Sequence, residues 1–141
     1  MGRPHIAQAM LLKGYVGSIK EAFHKYLGEG KKCYVPGDRV SVDETIAVIH
    51  AARGKAFIAH PHLLTAAFPI EKLLMRPFDG IECYYGNLAL KLAEPWLEIA
   101  KKKGWLVSGG SDFHGEVKPQ SVLGSSGVDQ ATFYQIFQHA V

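Results

Sequence analysis

The sequence predicts an α/β fold on a parallel sheet, and three observations predict it. The runs Ala56–Ala59, Gly80–Tyr85 and Trp105–Ser108 have the length and apolar content of short buried strands. Stretches with helical patterning separate them, which is the alternation of a βαβ chain. The first and third runs end in residues with metal-ligand chemistry, at the strand ends where α/β sheets and barrels place their sites. Three strands cannot close a parallel barrel, which takes about eight. The expected architecture is therefore the later part of a barrel, the first strands being supplied by sequence not contained here.

The elements follow in order. Pro4 suits the first turn of a helix from about His5 to Lys13, stopped by Gly14. Ser18-Ile19-Lys20-Glu21 is a capping box opening a second helix through Leu27, ended by Gly28. Positions 28–39 read as a loop. Ser41-Val42-Asp43-Glu44 is a second capping box, and Ile46, Ile49 and His50 give its helix an inward face that ends before Gly54. After the first strand, Pro69–Met75 is a short helix. Leu88–Lys103 is a longer one, with a kink or break expected near residue 94 because Pro95 lacks an amide donor. Asp129 is the expected N-cap of a last helix reaching the C-terminus. There is no internal repeat and no low-complexity tract.

The bulk numbers narrow the class. The 141 residues suffice for one domain with a core, and 48% apolar with 21% charged residues is ordinary for a soluble globular protein. No run approaches the ~18 apolar residues of a membrane span, and the first residues have no signal-peptide pattern. A formal net charge of +3 suits an anionic substrate and does not argue for a duplex-coating protein. Cys33 and Cys83 stand far apart with no CxxC. Cys83 reads as a small buried hydrophobe. A reducing, cytoplasmic setting without a disulfide is expected.

The residues that carry chemistry lie mostly at the strand ends. Gly109-Gly110-Ser111-Asp112-Phe113-His114-Gly115 follows the third strand. Strand alternation would point Asp112 and His114 to one side, as half of a metal site. Taken alone, Asp112 also reads as a turn cap and His114 as a surface residue; the flanking glycines, which allow close backbone approach, favour a site. His60 ends the first strand, where the alternative is a satisfied histidine at a sheet edge. His62, beyond Pro61, is a weaker candidate. Glu82 shares a face of the middle strand with Tyr84, and either orients a ligand histidine or pairs with a lysine. Arg3 and His5 open the first helix, where unpaired amides favour anions; they suit a phosphate or are simply solvated. His24, His50 and His139 read as ordinary helix residues. Lys31-Lys32 and Lys101-Lys102-Lys103 read as solvated faces.

Taken together, these stretches resemble the C-terminal half of a PHP-domain metal-dependent phosphoesterase, of the TrpH/YciV-like branch. The matching segments are Gly2-Arg3-Pro4-His5-Ile6-Ala7, Glu21-Ala22-Phe23, Lys25-Tyr26-Leu27 and Tyr34-Val35-Pro36. Ala59-His60-Pro61, Asp79-Gly80-Ile81-Glu82 with Tyr84-Tyr85, residues 109–115, Lys118-Pro119 and Leu123-Gly124 follow in order. The resemblance implies part of a distorted (β/α)7 PHP barrel. Residues 1–54 would be a helical insertion covering the active site, and 55–141 the C-terminal β/α part. It implies hydrolysis of phosphate esters of nucleotides or of short RNA 5′ ends, with up to three Mn²⁺, Zn²⁺, Fe²⁺ or Mg²⁺ ions. His60, Asp112 and His114 carry over as metal ligands, Asp112 and His114 also as catalytic residues, and Arg3 and His5 as substrate-binding residues. The family's N-terminal ligands, an HxH pair with a following Asp, His, Glu and His, have no counterpart in this sequence. The chain alone is therefore expected to be incomplete. Its partners would be the nucleotide or RNA substrate and either the missing half of the barrel or a second copy, with no membrane. The competing readings are an inactive phosphate-binding or regulatory fragment and a metal-dependent amidohydrolase on a similar barrel.

Overall fold

In a computed structural model the described residues are 2–37, 40–64, 69–86 and 88–138. They belong to two compact units, Met1–Arg39 and Val40–Val141. His139 lies outside the described residues.

The first unit is helical. Helix α1 (Arg3–Leu12) starts at Gly2, with Pro4 in its first turn and Gly14 at φ 72° just past its end. Helix α2 (Ile19–Ala22) opens on Ser18, whose side chain accepts from the Glu21 amide at 3.0 Å. The reciprocal bond of a capping box goes one residue further back, because Glu21 takes the Gly17 amide at 2.7 Å. The second half of the expected helix, Phe23–Leu27, widens into a π-turn that closes on Gly28 N–H to Phe23 O at 2.8 Å. Gly28 makes this closure possible, since a Cβ there would stand 2.6 Å from that carbonyl. Ala7, Val16, Ala22 and Leu27 form this unit's small core.

The second unit is the α/β part. Helix α3 (Val42–Ala51) has the full capping box: Ser41 accepts from the Glu44 amide at 3.2 Å, and Glu44 accepts from the Ser41 amide at 2.8 Å. Strands β1 (Phe57–Ile58), β2 (Gly80–Tyr85) and β3 (Leu106–Gly110) form a three-stranded parallel sheet in the order β1-β2-β3. Helix α4 (Ile70–Leu74) lies between β1 and β2, α5 (Leu90–Lys103) between β2 and β3, and α6 (Gln130–Gln138) follows β3. Asp129 caps α6, accepting from the Thr132 amide at 2.8 Å.

The core holds Ile58, Leu73, Ile81, Cys83 and Ala100, flanked by Trp96, Leu97 and Trp105. Burying side chains of the size of Ile58, Leu73 and Ile81 contributes ~1.5–3 kcal/mol each. His50 is not part of that core. Exposed on α3, it bonds Asp79 Oδ2 through Nε2 at 2.8 Å, so the inward face consists of Ile46 and, half-buried, Ile49. The break expected at Pro95 does not occur, and α5 runs unbroken through it. Lys103 is not merely solvated. Its Nζ donates to Leu74 O at 2.5 Å and lies 5.3 Å from the Trp105 ring centre. Among the described residues no helix is long and apolar enough to cross a membrane.

Candidate active site

The middle strand builds the site through an irregularity. β2 and β3 pair one to one from Gly80↔Leu106 to Glu82↔Ser108, and then Tyr84 pairs with Gly109 and Tyr85 with Gly110. Cys83 is the extra residue of a β-bulge, which re-aims the side chains that follow it. Tyr84 consequently packs against the core of Ile81 and Cys83, while Tyr85 comes to the side of His60, as Glu82 does. This corrects the expected pairing of Glu82 with Tyr84 on one face. Gly109 is needed at the bulge, because a Cβ there would meet Tyr84 Cβ at 2.7 Å and its carbonyl oxygen at 2.8 Å.

Around Tyr85 two clusters meet. On one side lie His60 and His62. The His60 ring stands edge-on to the phenol ring at 6.1 Å between centroids, and the His62 ring is tilted against it at 4.5 Å. His60 leaves β1 in a left-handed conformation, φ 32°, and its amide donates to Glu82 Oε2 at 2.5 Å. Glu82 thus positions the backbone of His60. Burial pushes the His62 imidazole below its usual pKa, with Glu82 opposing and His60 assisting.

On the other side lies Asp112. Strand β3 ends at Gly110, and Asp112 takes a left-handed backbone, φ 49°. A turn, not strand alternation, therefore brings Asp112 and His114 together. Asp112 Oδ2 accepts from Tyr85 Oη at 2.6 Å and from Lys118 Nζ. The same ammonium donates to Tyr85 Oη at 2.8 Å and lies 5.2 Å from the centre of its ring. Lys118 above all, and then the Tyr85 hydroxyl, hold the Asp112 carboxyl down at about 2. His114 Nδ1 lies 2.8 Å from the Asp112 carbonyl oxygen. A carbonyl only accepts, so this bond fixes the proton on Nδ1 and leaves Nε2 with its lone pair in the neutral ring.

The donor types suit a divalent cation. An ionised carboxylate and an imidazole with its second nitrogen anchored are the usual form of such ligands. The set is partial, however. Among the described residues no three His, Cys, Asp or Glu side chains are grouped to hold an ion. Tyr85 links His60 to the Asp112–His114 pair but does not close them into one cage.

Arg3 and His5 lie in the first unit and serve local structure there. Arg3 Nη1 donates to Leu27 O at 3.3 Å, and its guanidinium lies 5.3 Å from the Tyr34 ring centre. His5 Nδ1 accepts from the Gly2 amide at 3.1 Å. The residues that sequence reasoning missed at the site are Tyr85 and Lys118. Both stand in the resembling segments Tyr84-Tyr85 and Lys118-Pro119, which was the available signal.

No protein-family model matches the chain. It is 31% identical over 117 residues to the 5'-3' exoribonuclease Rnm of Escherichia coli, covering 79% of this chain and 40% of that protein. It is 31% identical over 119 residues to the 3',5'-nucleoside bisphosphate phosphatase of Chromobacterium violaceum, covering 81% of this chain and 42% of that one. The fold matches a Bifidobacterium adolescentis structure described as that of a metal-dependent phosphoesterase, with TM-score 0.78 and 31% identity over 99% of this chain and 51% of that one. It also matches a Chromobacterium violaceum structure described as that of an amidohydrolase with bound sulfate and no metal, with TM-score 0.73 and 27% identity over 98% of this chain and 51% of that one. The chain thus spans about two fifths of the length of the curated relatives it matches. These similarities, to a segment of proteins named as exoribonuclease, bisphosphate phosphatase and metal-dependent phosphoesterase, support a PHP-like phosphoesterase fragment of hydrolase type.

Proposed function

We propose that these 141 residues supply part of the active site of a metal-dependent phosphoesterase acting on nucleotides or the 5′ ends of short RNA. The observation that carries the reading is Tyr85, which joins two clusters of ligand-type residues at the C-terminal end of a parallel sheet. The names of the exoribonuclease and bisphosphate phosphatase relatives support the substrate class. His60, Asp112 and His114 are this chain's share of the ligands, completed by residues outside it in a distorted (β/α)7 barrel. Divalent cations supply Lewis acidity toward phosphate oxygens and a lowered pKa for water.

The remaining roles belong to the chain's own groups. Glu82 holds the backbone of His60, and Tyr85 holds the Asp112 carboxylate. The Asp112 carboxylate is the chain's candidate acceptor for the proton of an attacking water. Arg3 and His5 grip a phosphate that is not cleaved. A second reading, amidohydrolase chemistry on the same frame, is favoured by the description of one structural neighbour.

The test mixes the purified chain with the unmatched remainder of the E. coli relative and supplies Mn²⁺. Substrates are a 3',5'-nucleoside bisphosphate, a 5′-phosphorylated oligoribonucleotide and a panel of amides. The expected result is phosphate or nucleotide release by the mixture, little by the chain alone, and none with Asp112→Asn. Efficient Mn²⁺-dependent turnover by the chain alone refutes the shared site, and amide cleavage without phosphate release selects the second reading.

A further inference from the structure

Lys118 places a cation on the carboxylate of a candidate metal ligand. Its ammonium bonds Asp112 Oδ2, the same oxygen that takes the Tyr85 hydroxyl. Its position is also fixed by Tyr85, through the 2.8 Å bond to the hydroxyl and the 5.2 Å approach to the ring. The Lys118 and Asp112 side chains are about equally accessible, 28% and 27% exposed, so the pair is open to exchange with ions in solution. We propose that Lys118 is a counter-ion of Asp112 and competes with a divalent cation for Asp112 Oδ2.

The proposal rests on the reading of Asp112 as a metal ligand. It adds that ligation requires the ammonium to leave. Two cations on one carboxylate oxygen repel each other, and the flexible four-carbon stem of a lysine lets its head group move without the backbone. Lys118 follows the short 3₁₀ turn Gly115–Val117, where its amide donates to Gly115 O at 3.2 Å. The displaced ammonium remains next to the cation as a single positive charge suited to a phosphate oxygen. Lys118 is in this sense a positioning residue that holds the carboxylate in place until metal arrives. Tyr85 is not displaced, because its neutral hydroxyl neither competes for charge nor repels a cation.

The test is Mn²⁺ binding by isothermal titration calorimetry, with no turnover involved. The chains compared are wild type, Lys118→Met, Lys118→Arg and Asp112→Asn, each checked for folding by circular dichroism. Removing a competing charge of this exposure should tighten Mn²⁺ binding roughly three- to tenfold in Lys118→Met. Lys118→Arg keeps the charge and should stay near wild type. Unchanged or weaker binding in Lys118→Met, with binding lost in Asp112→Asn, overturns the competition but leaves Asp112 a ligand. Binding unaltered by Asp112→Asn overturns the ligand reading itself. Absence of Mn²⁺ binding in both wild type and Lys118→Met overturns the competition.

Discussion

Tyr85 donates a 2.6 Å hydrogen bond to Oδ2 of Asp112, joining the last residue of β2 to the turn after β3. The bond favours the ionised carboxylate, as does the larger contribution of Lys118. In the metal-free chain Tyr85→Phe should therefore raise the Asp112 carboxyl from about 2 toward the ordinary carboxylate value without reaching it, since Lys118 remains. A pH titration followed by carboxyl ¹³C NMR reads this directly. An unmoved Asp112 signal in Tyr85→Phe would show the bond to be absent in solution.

Asp79 ties three elements together. Its Oδ2 accepts from His50 Nε2 at 2.8 Å and from the Ala56 amide at 2.7 Å, at the start of β1. Partial burial raises its pKa, but the His50 and Ala56 bonds outweigh that and leave it below the usual carboxylate range. A depressed native pKa means stability that is present above the unfolded value, near 4, and lost as pH falls through the native value. Asp79→Asn should cost about 1–3 kcal/mol at pH 7, measured by urea unfolding. It should also flatten the decline of stability below about pH 4. A decline as steep as wild type would assign the acid sensitivity to other carboxylates.

Two glycines in the sheet are places where a methyl group has no room. A Cβ at Gly80 would overlap the Phe57 ring and stand 2.6 Å from Leu106 O; at Gly109 it would strike Tyr84. Gly80→Ala and Gly109→Ala are each expected to lose roughly 1–3 kcal/mol by forced displacement of neighbours. Thermal unfolding checks this, and Gly30→Ala, where nothing lies within 4 Å but φ is 74°, serves as the strain-only comparison.

The two thiols should separate cleanly. Cys83 is 1% exposed, and burial pushes its pKa up to about 11, whereas Cys33 is exposed. Thiolate is the reactive form. Ellman's reagent should therefore find one fast equivalent, lost in Cys33→Ser, and a second only in denaturant. Two fast equivalents in the folded chain would mean that β2 opens readily.

Much of this was legible in the sequence, and the failures have local causes. β2 matches its expected bounds because six residues, apolar or aromatic but for Gly80 and Glu82, lie between Asp79 and Gly86. The Ser41 capping box and the Asp129 cap were readable because each is a contact within three residues. The bulge at Cys83 was not, since it depends on the register against β3, which a single strand does not encode. That register decides which tyrosine reaches the site. Alternation wrongly paired Glu82 with Tyr84, and Tyr85 was left without a role. Lys118 was passed over for a related reason, because only the turn at 110–115 brings it to the carboxylate. The π-turn at Phe23–Leu27 likewise escaped a pattern built on a 3.6-residue period.

Arg53, His60 and Asp112 are the described residues other than glycine with positive φ, and two of them are among the three candidate ligands. A left-handed backbone costs an L residue roughly 1–2 kcal/mol that glycine does not incur. A lineage drifting under selection for abundance alone should accordingly replace both with glycine or asparagine. A library scored once for soluble yield and once for catalysis should rank substitutions in opposite order at 60 and 112, and in the same order at Ile81, where one packing requirement governs both. The histidine and the aspartate at these two positions would then mark where heredity has favoured chemistry over durability.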